Sequence, residues 1–344
     1  IAHEMTREMG KVFAETKGDV QEGIDTAYYA ASEGRRLFGY NAPSELPNKM
    51  NLSFRVPIGV GGFITPWNFP MAIPTWKIFP ALVCGNTCVF KPAELTPKTA
   101  TTLVEIIDMA MREVLGKEYI PGVINIVHGK GRIVGEAMIS HKDVSLISFT
   151  GSTEVGKRIN EVAGGDLKRV SLELGGKNAQ IVMNDADQEL ALEAVLWGAF
   201  GTTGQRCTAT SRLILHKDIY DEFISKLVDR VNRLKLGYGN DKGVDVGPCV
   251  SESQRETVNS YVKIGKDEDK AKLAAGGDYA NEGELSKGWF YKPTIFIDVK
   301  PGMRIEQEEI FGPVLSVIKC NDLTDAINIL NGTVYGLSSS IFTK

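Results

Sequence analysis

The sequence has few cysteines and few histidines for its length. Among 344 residues there are five cysteines and four histidines. An odd and low cysteine count in a chain this long argues against a disulfide framework and indicates reduced thiols, so we expect a cytoplasmic protein. No two histidines have the spacing of metal ligands, which argues against a zinc hydrolase, and we expect no metal site. No histidine lies beside a plausible nucleophile, which argues against a Ser/His triad.

Strong net charge and long apolar runs are also missing. The net charge of −4 gives no indication of a nucleic-acid or anionic-membrane partner. The apolar stretches are interrupted by Pro, Lys or Gly well short of a membrane span, and no signal-peptide pattern is visible. With 43% hydrophobic and 24% charged residues, the composition is that of an ordinary globular protein large enough for two domains.

Helical periodicity opens the sequence, and a strand–helix alternation follows it. Residues 4–37 predict a helix, and the proline-containing residues 39–57 predict an arm or linker. The predicted strands are 58–64, 87–90, 123–127, 144–149 and 169–174, with helices between them at 70–83, 96–115, 131–139 and 153–163. This alternation predicts a parallel, doubly wound α/β sheet, which binds ligands at the carboxyl ends of its strands.

A second α/β unit is predicted after Gly175-Gly176. Its strands are 179–183, 212–216 and 314–318, its helices 187–203, 218–235 and 251–265, and residues 266–292 predict a surface excursion. The sequence therefore predicts two domains, 1–174 and 175–344, with 39–57 as a separate arm segment.

Cys207 is the candidate nucleophile. It lies in the loop Gly204-Gln205-Arg206-Cys207-Thr208, between an apolar helix and a strand, and the adjacent Arg206 favours the thiolate. Thiolates attack carbonyl carbons well. The alternative is that Cys207 is a small buried hydrophobe, as most free cysteines are. The remaining cysteines predict structural roles: Cys84, Cys88, Cys249 and Cys320.

Glu173 is the candidate base. Along residues 169–174, period-two alternation places Val170 and Leu172 on one face and Glu173 on the other. A carboxylate at the end of a buried strand is costly unless it is used or paired. A salt-bridged strand-end glutamate is the open alternative.

Glycine-rich and polar turns follow several predicted strands. Residues 151–158 nearly match a phosphate-binding P-loop, but Arg158 replaces the hydroxyl that holds Mg²⁺, which excludes a nucleoside triphosphatase and leaves a dinucleotide pyrophosphate. Residues 129–135 form a second such turn. The spacing of Lys91 and Glu94 indicates either a pair that binds ribose hydroxyls or an exposed ion pair. Asn68, between prolines and aromatics, predicts an oxyanion donor or a turn-forming residue.

Six motifs in this order closely resemble the aldehyde dehydrogenase superfamily, whose members extend further at both ends. The matching motifs are Pro66-Trp67-Asn68-Phe69-Pro70, Lys91-Pro92-Ala93-Glu94, Phe149-Thr150-Gly151-Ser152, Glu173-Leu174-Gly175-Gly176-Lys177, Gly204-Gln205-Arg206-Cys207 and Glu308-Glu309-Ile310-Phe311-Gly312-Pro313. The resemblance implies an aldehyde dehydrogenase-like fold with a Rossmann-like cofactor domain (1–174), a catalytic domain (175–344) and part of an oligomerisation arm. It also implies a homodimer or homotetramer.

The resemblance further implies a role for each matching residue. Cys207 is the nucleophile, Glu173 activates the hydrolytic water, and the Asn68 amide with the Cys207 N–H holds the oxyanion. The cofactor-binding residues it implies are Ile64, Thr65, Pro66, Trp67, Lys91, Glu94, Gly131, Gly135, Phe149, Gly151, Ser152, Leu174, Glu309 and Phe311. Lys77 is expected near the cofactor and Trp76 along the substrate path. The expected reaction is oxidation of an aldehyde to an acid, with NAD preferred over NADP because Glu94 repels a 2′-phosphate.

Three alternatives accompany this interpretation. An acyl-transferring relative passes the acyl group to coenzyme A and needs no hydrolytic base, so Glu173 argues against it. A structural protein on the same scaffold is opposed by the joint presence of Cys207, Glu173 and Asn68. Arg206 either binds the distal carboxylate of a semialdehyde, as the similarity to semialdehyde-oxidising branches suggests, or tunes the Cys207 thiol and bonds to its own loop.

Overall fold

The computed structural model describes residues 1–344, which form two compact units. The first unit comprises Ile1–Glu8 and Thr16–Leu174, and the second comprises Met9–Glu15 and Gly175–Lys344. The segment Met9–Glu15 thus belongs with the second unit, which differs from the predicted division into 1–174 and 175–344. None of the helices is both long and apolar enough to cross a membrane.

The first unit contains most of the amino-terminal helices and a five-stranded sheet. Its helices are α1 (Ala2–Met9), α2 (Phe13–Glu33), α3 (Ala72–Val83), α4 (Pro97–Leu115), α5 (Glu136–Ser140) and α6 (Thr153–Gly165). Its strands are β1 (Asn41–Pro43), β2 (Met50–Leu52), β3 (Val60–Ile64), β4 (Thr87–Lys91), β5 (Ile124–Ile126), β6 (Val144–Thr150) and β7 (Arg169–Glu173).

One prediction for this unit is wrong in detail. The single helix predicted over 4–37 is two helices, because Gly10 takes a left-handed φ of 81° that ends α1. The predicted arm or linker contains an antiparallel hairpin of β1 and β2, whose strand residues are all exposed.

The main sheet of the first unit is parallel throughout, with the order β5-β4-β3-β6-β7. The chain moves outward from β3 to β5 and then returns to the other side of β3 with β6. The strand order therefore reverses between β3 and β6, and such a switch point leaves a crevice at the carboxyl ends of the strands. Phe63, Phe90 and Ile147 are fully buried in this sheet.

The second unit is built on a six-stranded sheet with the order β10-β11-β12-β9-β8-β13. Its strands are β8 (Asn178–Val182), β9 (Thr210–His216), β10 (Lys272–Ala275), β11 (Thr294–Val299), β12 (Val314–Cys320) and β13 (Ser339–Phe342). Its helices are α7 (Gln188–Phe200), α8 (Tyr220–Val231), α9 (Glu252–Asp267), α10 (Arg304–Gln307) and α11 (Leu323–Asn331).

The predicted surface excursion over 266–292 is wrong. This segment contains β10, which pairs antiparallel with β11 and makes the sheet mixed. Phe290 and Tyr291 are fully buried within it. Because the apolar residues are spaced among Gly, Lys and Asp, they show neither helical nor strand periodicity, and only their tertiary partners bury them.

Candidate active site

Several predicted site residues of the first unit lie at one edge of its sheet. The register pairs Ile64 with both Lys91 and Phe149, and Thr150 with Glu173. Because these strands are parallel, the residues that follow them share the carboxyl edge. Thr65, Pro66, Trp67 and Asn68 follow β3, Glu94 follows β4, Gly151 and Ser152 follow β6, and Leu174 follows β7.

Lys91 and Glu94 are joined to the glycine-rich turn at this edge. Lys91 is buried, and its ammonium donates to the Pro92 carbonyl at 2.8 Å, so the exposed ion pair considered above is not formed. Burial lowers the pKa of Lys91, and the charge of Glu94 opposes that shift. Glu94 Oε1 accepts from the Gly131 N–H at 3.1 Å, which brings the Lys91–Glu94 motif to the π-helical turn Gly131–Gly135.

Ser152 stands at the beginning of α6. Its side chain accepts from the Val155 N–H at 3.4 Å, as an N-cap residue does. The first amides of α6 and the positive end of its dipole face the carboxyl edge of the sheet, which suits an anionic group. Phe149, three residues earlier, is buried in β6.

Asn68 and Glu173 differ in burial. Asn68 is 2% exposed, so its amide is a buried polar group directly after β3. Glu173 is the last residue of β7, which is an edge strand, and the glutamate is exposed. The expectation of a buried strand at this position is therefore wrong, because β7 has a neighbour on one side only.

Lys77 on α3 lies in the electrostatic field of Glu173. Burial lowers the pKa of Lys77 to about 8, and the charge of Glu173 opposes the shift. The ammonium donates to Ser148 Oγ on β6 at 2.9 Å. Trp76, the preceding residue, is exposed. A partly buried cation with a pKa of about 8 thus lies within electrostatic range of the candidate base.

Cys207 in the second unit follows a strained turn. Thr202, Thr203 and Gly204 all have left-handed backbone angles, with φ of 52°, 58° and 67°. A non-glycine residue in this region costs on the order of 1–3 kcal/mol, so the turn persists only because its surroundings hold it. A Cβ on Gly204 would lie 2.1 Å from the Gly312 carbonyl oxygen, which only glycine permits. We call residues 202–207 the cysteine turn.

Side-chain hydrogen bonds of Asn178 and Gln205 hold the backbone around Cys207. Asn178, the first residue of β8, donates from Nδ2 to the Cys207 carbonyl at 2.6 Å and to the Ala209 carbonyl at 3.0 Å. Its Oδ1 accepts from the Ser338 N–H at 3.0 Å. Gln205 Oε1 accepts from the Val250 N–H at 2.9 Å. Cys207 itself is partly exposed, so the candidate nucleophile remains accessible on a turn that these hydrogen bonds hold.

Glu309 and Phe311 lie on the loop that precedes β12. Glu309 Oε1 accepts from the Gly176 N–H at 3.0 Å. Burial raises the pKa of Glu309, and this hydrogen bond and the Lys177 charge oppose the shift. Phe311 has a left-handed φ of 56°, and Gln254 on α9 holds its carbonyl with a 2.9 Å hydrogen bond. The Glu309 side chain is therefore fixed by a backbone N–H, and the Phe311 backbone is fixed by the Gln254 side chain.

Arg206 points towards helix α7. Its Nη2 donates to the carbonyls of Trp197 and Gly198 at 2.6 and 3.0 Å, and the guanidinium carbon lies 3.9 Å from the centroid of the Trp197 ring. Burial lowers the pKa of Arg206, and the charges of Glu15 and Cys207 oppose the shift. This geometry favours the interpretation in which Arg206 bonds to the backbone near its own loop.

The other cysteines provide a contrast. Burial raises the pKa of Cys88 and of Cys249 to about 12, and that of Cys320 to about 11. Cys84, for which the sequence predicts a structural role, is exposed at the end of α3. Among the described residues, no group of three or more His, Cys, Asp or Glu side chains is arranged to hold a metal ion.

The sequence pattern of the aldehyde dehydrogenase family matches residues 1–344. The chain belongs to the aldehyde dehydrogenase family. Its α/β architecture, with a Rossmann-like parallel sheet, is confirmed by a betaine aldehyde dehydrogenase of Staphylococcus aureus, solved in complex with NAD+. That structure has a TM-score of 0.95 and 37% identity over all of this chain and 66% of its own.

Curated relatives include two semialdehyde dehydrogenases. This chain is 46% identical to an alpha-ketoglutaric semialdehyde dehydrogenase of Bacillus subtilis, over all of this chain and 69% of that protein. It is 43% identical to an alpha-ketoglutarate semialdehyde dehydrogenase of Haloferax volcanii, over 98% of this chain and 68% of that protein. A betaine aldehyde dehydrogenase of Bacillus subtilis is 42% identical over 97% of this chain. The chain thus spans about two thirds of the length of these relatives.

Sequence reasoning missed the residues that hold this aldehyde dehydrogenase's cysteine turn and Phe311 loop. Asn178, Gln254 and Glu15 are ordinary polar residues in helical or strand-like surroundings, and no spacing rule singles them out. Their partners are backbone groups far away in the sequence, which composition and periodicity do not reveal.

Proposed function

We propose that the protein oxidises an aldehyde to a carboxylic acid and uses NAD as the hydride acceptor, with Cys207 as the nucleophile. The observation that carries the proposal is the partly exposed Cys207 on a strained turn whose backbone Asn178 fixes, in a chain of the aldehyde dehydrogenase family. A thiolate so held attacks the aldehyde carbon without first reorganising its loop.

The oxyanion of the resulting thiohemiacetal needs hydrogen-bond donors. We assign the Asn68 amide and the Cys207 N–H to this role. The burial of Asn68 supports the assignment, because a donor held away from water costs little reorganisation when charge develops. The carbonyl hydrogen bond from Asn178 supports it too, because it fixes the orientation of the Cys207 backbone.

The residues at the carboxyl edge of the first unit suit a dinucleotide. The Lys91–Glu94 pair is assigned to the adenosine ribose, and the first turn of α6 with Ser152 to the pyrophosphate. In the second unit, Glu309 is assigned to the nicotinamide ribose and Phe311 to the nicotinamide ring. When bound, NAD accepts the hydride that leaves the thiohemiacetal carbon. Glu94 accepts hydrogen bonds from ribose hydroxyls and repels a 2′-phosphate, so NAD is preferred over NADP.

Glu173 is assigned as the base that completes the cycle. It takes a proton from the water that attacks the thioester, and the carbon–sulfur bond then breaks to release the acid and the Cys207 thiolate. Its exposed position at the carboxyl edge supports a role in the reaction rather than a structural ion pair.

For the substrate, we propose an aldehyde with a carboxylate at its far end. The sequence identity of 46% and 43% to two semialdehyde dehydrogenases favours such a substrate. The bonds of Arg206 to α7 favour a different carboxylate-binding residue, and we assign Arg206 to positioning of the cysteine turn. An aldehyde without a carboxylate is the second candidate, because a betaine aldehyde dehydrogenase is nearly as similar.

The test is NADH formation with a panel of aldehydes. Cys207→Ala is expected to abolish turnover while the affinity for NAD is retained, because it removes the nucleophile alone. Cys84→Ala, which removes an exposed thiol elsewhere, is the matched control and is expected to match the unaltered protein. Substantial turnover in Cys207→Ala would contradict the proposal, and thioester formation on addition of coenzyme A would favour the acyl-transfer alternative.

A further inference from the structure

The segment Met9–Glu15 is anchored in the second unit by its backbone. The Phe13 N–H donates to the Gly239 carbonyl at 2.8 Å. A Cβ on Gly247 would lie 2.2 Å from the Gly10 carbonyl oxygen, so the two backbones are in direct contact. The segment ends in the first turn of α2, where Glu15 lies. The backbone segment that carries Glu15 is therefore held by main-chain contacts within the second unit.

Glu15 binds the cysteine turn at Thr202, one of its two left-handed threonines. Its Oε1 accepts from the Thr202 N–H at 2.8 Å, and its Oε2 accepts from the Thr202 hydroxyl at 3.2 Å. Thr202 has a left-handed φ of 52°. Hydrogen bonds to a charged acceptor are stronger than those to a neutral one, so these two bonds oppose the strain of the left-handed backbone at Thr202.

The same carboxylate lies beside Arg206. Glu15 Oε1 and Arg206 Nη2 are each 3.1 Å from the point that a Cβ on Gly201 would occupy, so the two charges flank this glycine. Burial raises the pKa of Glu15, and the Thr202 N–H together with the charges of Lys11 and Arg206 opposes the shift. The charged groups that face Glu15 are thus Lys11 and Arg206, and Arg206 in turn acts on Cys207.

We infer that Glu15 is a positioning residue for the aldehyde dehydrogenase reaction: its carboxylate holds the left-handed turn before Cys207 and balances the Arg206 charge that acts on the thiol. The inference rests on the proposed role of Cys207 as the nucleophile. Glu15 touches no reacting atom, so its effect is on the rate of acylation and on the reactivity of the thiol.

The test compares Glu15→Gln and Glu15→Ala with Glu22→Gln, a change at an exposed glutamate two turns further along α2. Gln keeps an acceptor for Thr202 but removes the charge, and Ala removes both. The rate of the NADH burst is expected to fall about tenfold in Glu15→Gln and about a hundredfold in Glu15→Ala, the size of effect that a misplaced reacting group produces. The KM for NAD is expected to change by less than about twofold in both Glu15 variants. In Glu22→Gln, the burst rate is also expected to stay within about twofold of that of the unaltered protein.

A second measurement reports on the thiol alone. The rate at which iodoacetamide alkylates Cys207 is followed against pH, with the modified residue identified by mass spectrometry. Because Glu15 opposes the Arg206 charge that favours the thiolate, its removal is expected to move the midpoint of alkylation to lower pH in Glu15→Gln. A protein that had merely lost stability would show no such displacement.

The experiments distinguish failure of the Cys207 assignment from failure of the Glu15 assignment. If alkylation of Cys207 leaves NADH formation in the unaltered protein intact, the nucleophile assignment fails and the role of Glu15 fails with it. If alkylation blocks activity, but Glu15→Gln shows the unaltered burst rate and alkylation midpoint, the nucleophile stands and the role of Glu15 is overturned. Glu15→Gln decides the matter even if Glu15→Ala does not fold.

Discussion

The two sheets present their candidate site residues at opposite edges. In the first unit, Asn68, Glu94 and Ser152 follow strands and lie at the carboxyl edge. In the second unit, Cys207 and Phe311 precede strands β9 and β12, and thus lie at the amino edge of that sheet. The first arrangement is the usual one for ligand binding in a doubly wound sheet, and the second is not.

The two edges are also held differently. At the carboxyl edge, strand register and the beginning of α6 place the residues, so main-chain geometry does most of the positioning. At the amino edge, side chains such as Asn178 and Gln254 bind loop carbonyls. Single substitutions are therefore expected to be tolerated better among the supports of the first edge than among those of the second.

The largest expected effect in the comparison comes from Glu173, whose role is chemical rather than positional. In Glu173→Gln the burst of NADH is expected to remain, while steady turnover falls on the order of 10²–10⁴-fold, because the acyl-enzyme forms but is hydrolysed slowly. Rapid-mixing measurement of the burst and the steady rate separates the two steps. Equal loss of both would indicate a structural role for Glu173.

Asn178 tests the claim that side chains hold the amino edge. Asn178→Ala removes the bonds to the Cys207 and Ala209 carbonyls, and kcat is expected to fall about 10–100-fold with little change in the KM for NAD. Asn184→Ala is the matched control, because Asn184 is an exposed asparagine just beyond β8 that bonds to Asp218. If both variants behave alike, the turn is held by its backbone alone.

The sequence predicts elements that follow from a local apolar pattern. It does not predict positions that depend on side chains distant in the sequence. The alternation of apolar runs predicts β3, β4 and β6 within two residues at either end, because each is a short, largely buried run that an α-helix follows. It fails over 266–292, where β10 is buried by tertiary contacts without a local pattern. For the same reason, motifs indicate Cys207 and Glu309, but nothing local indicates that Asn178 or Glu15 supports the cysteine turn.

Glu94 tests the carboxyl edge. Glu94→Gln removes the charge that opposes a 2′-phosphate while keeping an acceptor for ribose and for the Gly131 N–H. The preference for NAD over NADP, measured as a ratio of kcat/KM values, is expected to decrease about tenfold, which corresponds to about 1.4 kcal/mol. Glu136→Gln, a change on α5 just after the glycine-rich turn, serves as the control. An unchanged ratio in Glu94→Gln would place cofactor discrimination elsewhere.

The smallest effect is expected for substrate discrimination by Arg206. If its guanidinium bound a substrate carboxylate, Arg206→Ala would cost the charged substrate about 1.5–3 kcal/mol more than an uncharged one, or roughly 10–100-fold. Its donors instead bind the Trp197 and Gly198 carbonyls, and its face stacks on Trp197. We therefore expect kcat/KM for glutarate semialdehyde and for an uncharged aldehyde of equal length to fall by the same factor, within about threefold, because loosening of the cysteine turn affects both alike. A selective loss with the semialdehyde would instead show that Arg206 leaves α7 to bind the substrate.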